Sequence, residues 1–273
     1  MNVVSAGDAS FFHCLKELAE SVRKFYGKPI IIYDIGLTEE QRKQLDADVV
    51  SISIDELADC KGKSYLSPEG IPSTRATHKP FCVEHYFEKY DEPMILVDAD
   101  CLFTEKVEES GFDVGVTYAP PRKGKQIYYY NGVINSGVIF FNNPATKLVQ
   151  RWAEECRKKD TTDQKALSDV LEETIVWERY KLIQNWHGLK IKIFDPAIYN
   201  DHHLTKKSKI LHFITSKHRK DIYEKLIEGY KQGKDIRKLF REIKRGRKSR
   251  TKLMKEKLSA VFGRVNKHQI LSS

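Results

Sequence analysis

Three features of this 273-residue sequence predict an α/β domain built on a mostly parallel central sheet and followed by a basic helical tail. First, β-rich apolar runs alternate with amphipathic helical stretches from the N-terminus onward, the pattern of right-handed βαβ units. Second, Met94-Ile95-Leu96-Val97 is apolar at every position, as a strand covered on both faces must be, and it stops abruptly at Asp98-Ala99-Asp100. Third, charge is segregated. From Lys217 to the C-terminus there are 19 Lys and Arg against 6 Asp and Glu, a local charge of +13, whereas the preceding part is slightly acidic at −4. These features place an α/β domain in residues 1–220 and a basic amphipathic helical tail in 221–273.

The elements follow in order. Val3-Val4-Ser5-Ala6-Gly7-Asp8 reads as a strand leading through a Gly-containing turn into a helix over 11–26, where Phe12, Leu15, Leu18, Ala19 and Val22 recur at helical spacing. Pro29 to Gly36 is a second strand. Thr38, with Gln41 three residues on, has the signature of a helix start closed by a capping box. Val49 to Ile54 is a third strand. A helical pattern over 72–89 precedes the Asp pair and would put Arg75 and Lys79 on one face; Pro80 must then sit early in that helix or kink it. Val114 to Tyr118 and Ile134 to Phe141 are strand-like, joined across Pro120-Pro121-Arg122-Lys123-Gly124-Lys125, which has loop composition. A helix over 144–158 comes next, then one running to Leu171 and capped by Thr161 or Thr162. Ile191 to Phe194 and Ile210 to Phe213 are the last strands expected.

Forty per cent apolar residues suffice for a sizeable core. Cys14, Cys60, Cys82, Cys101 and Cys156 are an odd, scattered set without C-x-x-C spacing, which argues against a zinc cage and against a secreted disulfide framework. No N-terminal signal pattern and no run of about 20 apolar residues is present. A cytoplasmic chain, peripheral on the inner face of a membrane in one reading, is therefore expected.

Ligands of parallel sheets bind where the strands end, and two hard carboxylate ligands there could hold a divalent cation that grips a pyrophosphate. Asp also favours turns, so a solvated strand-to-loop corner is the competing reading. Neighbouring motifs bear on the choice. Asp98-Ala99-Asp100 resembles the D-x-D motif of GT-A glycosyltransferases. Asn135-Ser136-Gly137-Val138 is similar to the N-[SA]-G strand of their family-eight, galactosyltransferase-like and lipopolysaccharide-type branch. Asp163-Gln164 resembles the D-Q pair that follows there, and Leu211-His212-Phe213 the late histidine that completes the metal site. Ala6-Gly7-Asp8 and Ile32 to Leu37 are similar to that branch's opening strands. Each motif is short; the information lies in their shared order over residues 1–220.

The resemblance implies a metal-dependent glycosyltransferase that moves a sugar from a nucleotide diphosphate sugar. The family pattern makes UDP-hexose the expected donor and implies retention of anomeric configuration through Asp163 and Gln164. Inversion stays open, with Asp163 as a general base. Asp98, Asp100 and His212 are the implied ligands of Mn²⁺ or Mg²⁺, the imidazole favouring Mn²⁺. Donor contacts are implied at Ala6, Asp8, Asp98, Ala99 and Asn135, and expected at Arg75 and Lys79, where a solvated helix face is the alternative. In the family a Gly-containing turn and Lys-Pro-Trp follow the late histidine. Here Ile214 to Lys220 holds no Gly, Pro or Trp, and Lys217 is the candidate diphosphate-binding lysine, with Lys220 as its rival. The remaining histidines, His85, His202 and His203 among them, read as ordinary surface or loop residues.

In the tail, Ile222, Leu226, Ile236, Leu239, Phe240 and Ile243, and then Leu253, Leu258, Val261, Phe262 and Val265, are interleaved with Lys and Arg. Such helices suit an anionic membrane, and with it a glycan or lipid-linked acceptor. The same stripe could pack on the domain or on a second subunit. No nucleic-acid-binding signature is present. Two other readings are a nucleotidyltransferase acting on a sugar phosphate and a catalytically silent anion-binding scaffold.

Overall fold

The computed structural model describes residues 1–52, 61–64, 67–72, 77–118, 132–158, 161–179, 182–214 and 219–246. They fall into two compact units, one within residues 1–217 and one from residue 218 onward.

The first unit is a mixed α/β domain. Its central sheet has the order β10-β11-β8-β9-β6-β1-β2-β3. Here β1 is Asn2–Gly7, β2 Ile30–Asp34, β3 Ala47–Ser51, β6 Met94–Asp98, β8 Val114–Tyr118, β9 Ile134–Phe141, β10 Ile183–Trp186 and β11 Leu189–Phe194. The β3-β2-β1-β6 run is parallel, as is β8 with β11. Strand β9 runs antiparallel to both β6 and β8, and β10 antiparallel to β11. The prediction of a mostly parallel α/β sheet is thus met.

Alternation along each strand divides two cores. In β6, Met94 and Leu96 join Val4, Tyr33, Ile139 and Trp152 on one face, while Ile95 and Val97 join Leu15, Leu18, Val22 and Phe140 on the other. Helix α1 (Phe12–Tyr26) supplies the second face with Leu15, Leu18 and Val22, and ends where Gly27 takes a positive φ of 71°. Helix α2 (Glu39–Lys43) begins with the predicted capping box between Thr38 and Gln41. The other core receives α3 (Lys79–Lys89), α4 (Thr146–Lys158) and α5 (Asp163–Leu171).

Several boundaries differ from expectation. The helix expected over 72–89 is met over Lys79–Lys89, α3, but not at Pro72, which ends a strand, β5 (Ser67–Pro72), paired antiparallel with β4 (Lys61–Ser64); residues 73–76 lie outside the described residues. Pro80 lies in the first turn of α3, where a missing N–H costs nothing. Strand β10 was not predicted. It forms a hairpin with β11 through His187 and Gly188, both at positive φ. The 120–125 loop and Cys60 lie outside the described residues; Cys14, Cys82, Cys101 and Cys156 are buried and form no disulfide among the described residues.

A small antiparallel pair stands beside the sheet: β7 (Cys101–Phe103) with β12 (Ile210–His212). A single turn, α6 (Pro196–Tyr199), precedes β12.

In the second unit, α7 (Lys220–Lys231) and α8 (236–246) form a helical pair. Ile222, Leu226, Ile236 and Phe240 are buried, while Lys225, Lys231, Lys234, Arg237, Lys238 and Arg241 are exposed. A Cβ on Gly229 would lie 2.5 Å from Leu239 Cδ2, so that methyl, at the far end of a flexible side chain, packs directly against the glycine. The apolar stripe from Leu253 to Val265 lies outside the described residues. Among the described residues, no helix is long and apolar enough to cross a membrane.

Candidate active site

The parallel run of the sheet sets the carboxyl ends of β1 and β6 side by side, with Ala6 in register with Asp98. The chain then turns through Ala99 and Asp100 into β7. Pairing of β7 with β12 puts Cys101 opposite His212, and Phe213 N–H donates to the carbonyl of Asp100 at 2.9 Å. Thus two carboxylates and an imidazole more than a hundred residues apart in sequence converge. His212 Nε2 lies 3.3 Å from Asp100 Oδ1 and 3.5 Å from Asp98 Oδ2. One ligand atom from each of the three residues can be chosen so that all lie within 4.8 Å of one another.

These residues fit a divalent cation. Nε2 of His212 is buried and lacks a hydrogen-bond partner among the described residues, a costly state unless a ligand meets it. Two hard oxygens and one imidazole nitrogen suit Mn²⁺ and, less well, Mg²⁺. Close packing holds the imidazole: a Cβ on Gly137 would come within 2.3 Å of His212 Cε1, so only glycine lets β9 pass beside the ring.

Among the described residues, Lys79, at the start of α3, is a buried cation of the site. Its Nζ lies 2.8 Å from Asp98 Oδ1 and 2.9 Å from Asp163 Oδ2, and donates to the carbonyl and hydroxyl of Ser136, each at 3.0 Å. Burial alone would lower its pKa; the charges of Asp163 and Asp98 outweigh that and raise it above the usual lysine value. Asp98 therefore has one oxygen on Lys79 and the other toward His212.

Asp163 and Gln164 open α5, with Thr162 as the cap, its hydroxyl accepting from Lys165 N–H at 3.2 Å. Trp152 Nε1 donates to the Asp163 carbonyl at 2.7 Å and anchors this helix start. Asp163 Oδ1 accepts from Gln164 N–H at 2.7 Å, and Gln164 Oε1 accepts from Ser136 N–H at 3.3 Å. The D-Q pair and the N-S-G strand are thereby tied together. Asn135 is committed within the chain: its Oδ1 accepts from Gly137 N–H at 2.9 Å and its Nδ2 faces His202 Nε2 at 3.1 Å.

At the neighbouring strand end, Asp8 is buried and accepts from Ser10 N–H and Oγ at 2.8 and 2.5 Å. Asp34 receives Gly36 and Leu37 N–H at 2.8 and 2.6 Å and pairs with Arg42 at 2.5 Å. The fold thus gathers Asp98, Asp100, His212, Lys79, Asn135, Asp163 and Gln164 in one network. Ala6 and Ala99 border it through the sheet edge and the Asp98–Asp100 turn, and Asp8 follows β1. Arg75 and Lys217 lie outside the described residues.

Three participants escaped the sequence reading. Ser136 serves Lys79 and Gln164. Asn200, fully buried, reaches His212 Nδ1 at 2.6 Å. His202, read as an ordinary loop residue, packs its ring 5.0 Å from that of His212; burial and the neighbouring His212 push its pKa down to about 3, so it is neutral at ordinary pH. Ser136 lies within the quoted Asn135-Ser136-Gly137 motif, whereas Asn200 and His202 sit in a segment with no periodic pattern, and only the fold brings them to the strand ends.

A family model described as nucleotide-diphospho-sugar transferase matches residues 81–228, over half of the chain. No match was found among curated proteins. Among solved structures, similarity extends to a glycosyltransferase involved in the glycosylation of the major capsid of PBCV-1. That match has 14% identity, 81% of this chain and 97% of that one, and a TM-score of 0.48. A second is to the galactosyltransferase LgtC in complex with donor and acceptor sugar analogs, at 15% identity, 82% of each chain and a TM-score of 0.42. A third is to the glycosyltransferase GlyE of Streptococcus pneumoniae TIGR4, at 14% identity, 78% of this chain and 55% of that one, and a TM-score of 0.46.

Proposed function

The chain belongs to the nucleotide-diphospho-sugar transferase family, and from that premise we propose a metal-dependent hexosyltransferase that uses a UDP-sugar and retains anomeric configuration. That it is a glycosyltransferase acting on a nucleotide sugar follows from the family. Metal dependence rests on one observation above all: the buried His212 Nε2, without a hydrogen-bond partner among the described residues, lies 3.3–3.5 Å from the carboxylates of Asp100 and Asp98 where β6 ends. Asp98, Asp100 and His212 would hold Mn²⁺ or Mg²⁺. When bound, such a cation offsets the charge growing on the leaving diphosphate as a Lewis acid.

The chain's own residues arrange the rest. Lys79 pairs with both Asp98 and Asp163 and sets the distance between them. Asp163 has one oxygen on Lys79 and the other on Gln164 N–H, so neither oxygen is left over for the acceptor hydroxyl that a general base must reach. This supports retention over base-assisted inversion. The Gln164 amide, held by Ser136, is positioned beside it. UDP as the nucleotide rests on the motif resemblance. A glycan or lipid-linked acceptor, used at the cytoplasmic face of a membrane, rests on the basic charge from residue 217 onward.

A panel of nucleotide sugars, assayed for hydrolysis and for thermal stabilisation with Mn²⁺ and with chelator, tests the reading. A UDP-sugar response lost on chelation is expected; no metal-dependent response to any donor would sink it. ¹H NMR of the product anomer separates retention from inversion.

A further inference from the structure

We infer that Asn200 is a positioning residue for the metal site: it locks His212 into the tautomer whose Nε2 lone pair faces the cation. The inference rests on the metal reading above. A neutral imidazole presents its Nε2 lone pair only when the proton is on Nδ1, and the hydrogen bond made by Nδ1 decides that.

The orientation of Asn200 can be worked out from its neighbours. Thr117 Oγ1 donates to the Asn135 carbonyl at 2.9 Å, which leaves the Thr117 oxygen as an acceptor. The Asn200 amide nitrogen lies 2.7 Å from that oxygen and 3.4 Å from the same Asn135 carbonyl. A carbonyl only accepts, so the end of the side chain facing it must be the NH₂. The amide oxygen then faces His212 Nδ1 at 2.6 Å, and Nδ1 must be the donor. Each link forces the next: Asn135 carbonyl, Thr117 hydroxyl, Asn200 amide, His212 imidazole. All four residues are buried. Asn135 belongs to the same strand as Gly137, against which the imidazole packs. Strand β9 therefore sets both the place of the ring, through Gly137, and its protonation pattern, through the relay. Asn200 itself touches neither carboxylate in this network and acts on the cation only through His212.

Two measurements on the full chain test this. Long-range ¹H–¹⁵N NMR of the metal-free wild-type protein reads the His212 tautomer directly; Nδ1–H is expected, and Nε2–H would overturn the inference without any variant. Mn²⁺ titrated calorimetrically into donor-free protein provides the second. Asn200→Leu, of similar size but with no acceptor, is expected to weaken binding by about 10- to 100-fold. Asn200→Asp, which restores an acceptor, is expected to remain within about tenfold of wild type, the scale set by losing such a partner outright. Equal affinity of wild type and Asn200→Leu would overturn the positioning role alone. Absence of Mn²⁺ uptake by the wild type would overturn the metal reading and this inference together. Should Asn200→Leu fail to fold, the tautomer measurement decides.

Discussion

Asp100 is 1% exposed and stands 3.3 Å from His212, so a change there acts on the proposed cation site without disturbing the surface. Asp100→Asn is expected to lower kcat/KM by about a thousandfold or more, since Lewis-acid stabilisation of a leaving diphosphate is worth several kcal/mol. Initial rates over a Mn²⁺ range check this, and activity within tenfold of wild type would refute it. Lys79 carries a different load. Its removal leaves Asp163 and Asp98 facing each other without the cation between them, and breaking a buried ion pair in this way costs about 3–5 kcal/mol. Lys79→Met, unfolded by denaturant in the presence of chelator, should show a loss of that order. A third test lies at Gly137. A methyl there meets His212 Cε1 at 2.3 Å, so Gly137→Ala should displace the ring and weaken Mn²⁺ binding by at least tenfold, with about 1–3 kcal/mol of overpacking strain. Wild-type Mn²⁺ affinity in that variant would mean the ring is not a ligand.

Elements differ in how far the sequence revealed them, and the differences have physical causes. Strand β6 was legible because burial on both faces demands an uninterrupted apolar run, and α2 because its capping box is a local signal. The reversal of β9 was not legible. Period-2 alternation reports a strand but carries no direction, and β9 is oriented by its partners β6 and β8. The helix expected from Pro72 was placed too early at its first residue, which ends strand β5, because the sequence from Pro72 leads without a cap signal into the helix that the structure shows from Lys79. The segment from Tyr199 to Ser208 was the least legible, yet it delivers Asn200 and His202 to the site. Its Asp201 carboxylate accepts from His203 N–H, Thr205 N–H and Ser208 Oγ at 2.6, 2.6 and 2.5 Å. Burial opposes the charged form, but these hydrogen bonds outweigh it and hold the pKa below the usual aspartate value. A group depressed in this way stabilises the fold above its unfolded pKa of about 3.9, and that contribution fades as pH falls through the lower folded value. Asp201→Asn should therefore cost about 1–3 kcal/mol near neutrality. The gap between variant and wild type should narrow below about pH 4. Denaturant titrations at the two pH values check the sign.

Across the whole molecule, charge and chemistry are separated. The α/β unit carries the candidate active site and a slight negative charge, while the basic excess of +13 begins at Lys217. This separation was fully legible, because charge is additive along a chain and needs no fold to be counted. What covers the apolar stripe was not: Ile222, Leu226, Ile236 and Phe240 are buried, so along α7 and α8 the exposed chemistry is cationic rather than apolar. Membrane attachment through these helices would then be electrostatic, each Lys or Arg near an anionic surface contributing about 1 kcal/mol. Electrostatic attachment and apolar insertion differ in their response to salt, since the Debye length contracts from about 10 Å at 0.1 M to about 3 Å at 1 M. The intact chain is expected to float with vesicles rich in phosphatidylserine or phosphatidylglycerol at low salt, to release as salt rises toward about 1 M, where that screening is strongest, and to ignore phosphatidylcholine vesicles throughout. Equal partitioning to neutral and anionic vesicles would refute an electrostatic tether. Retention on anionic vesicles at high salt would transfer the anchoring role to apolar side chains, for which Leu253, Leu258, Val261, Phe262 and Val265 are the remaining candidates in the sequence.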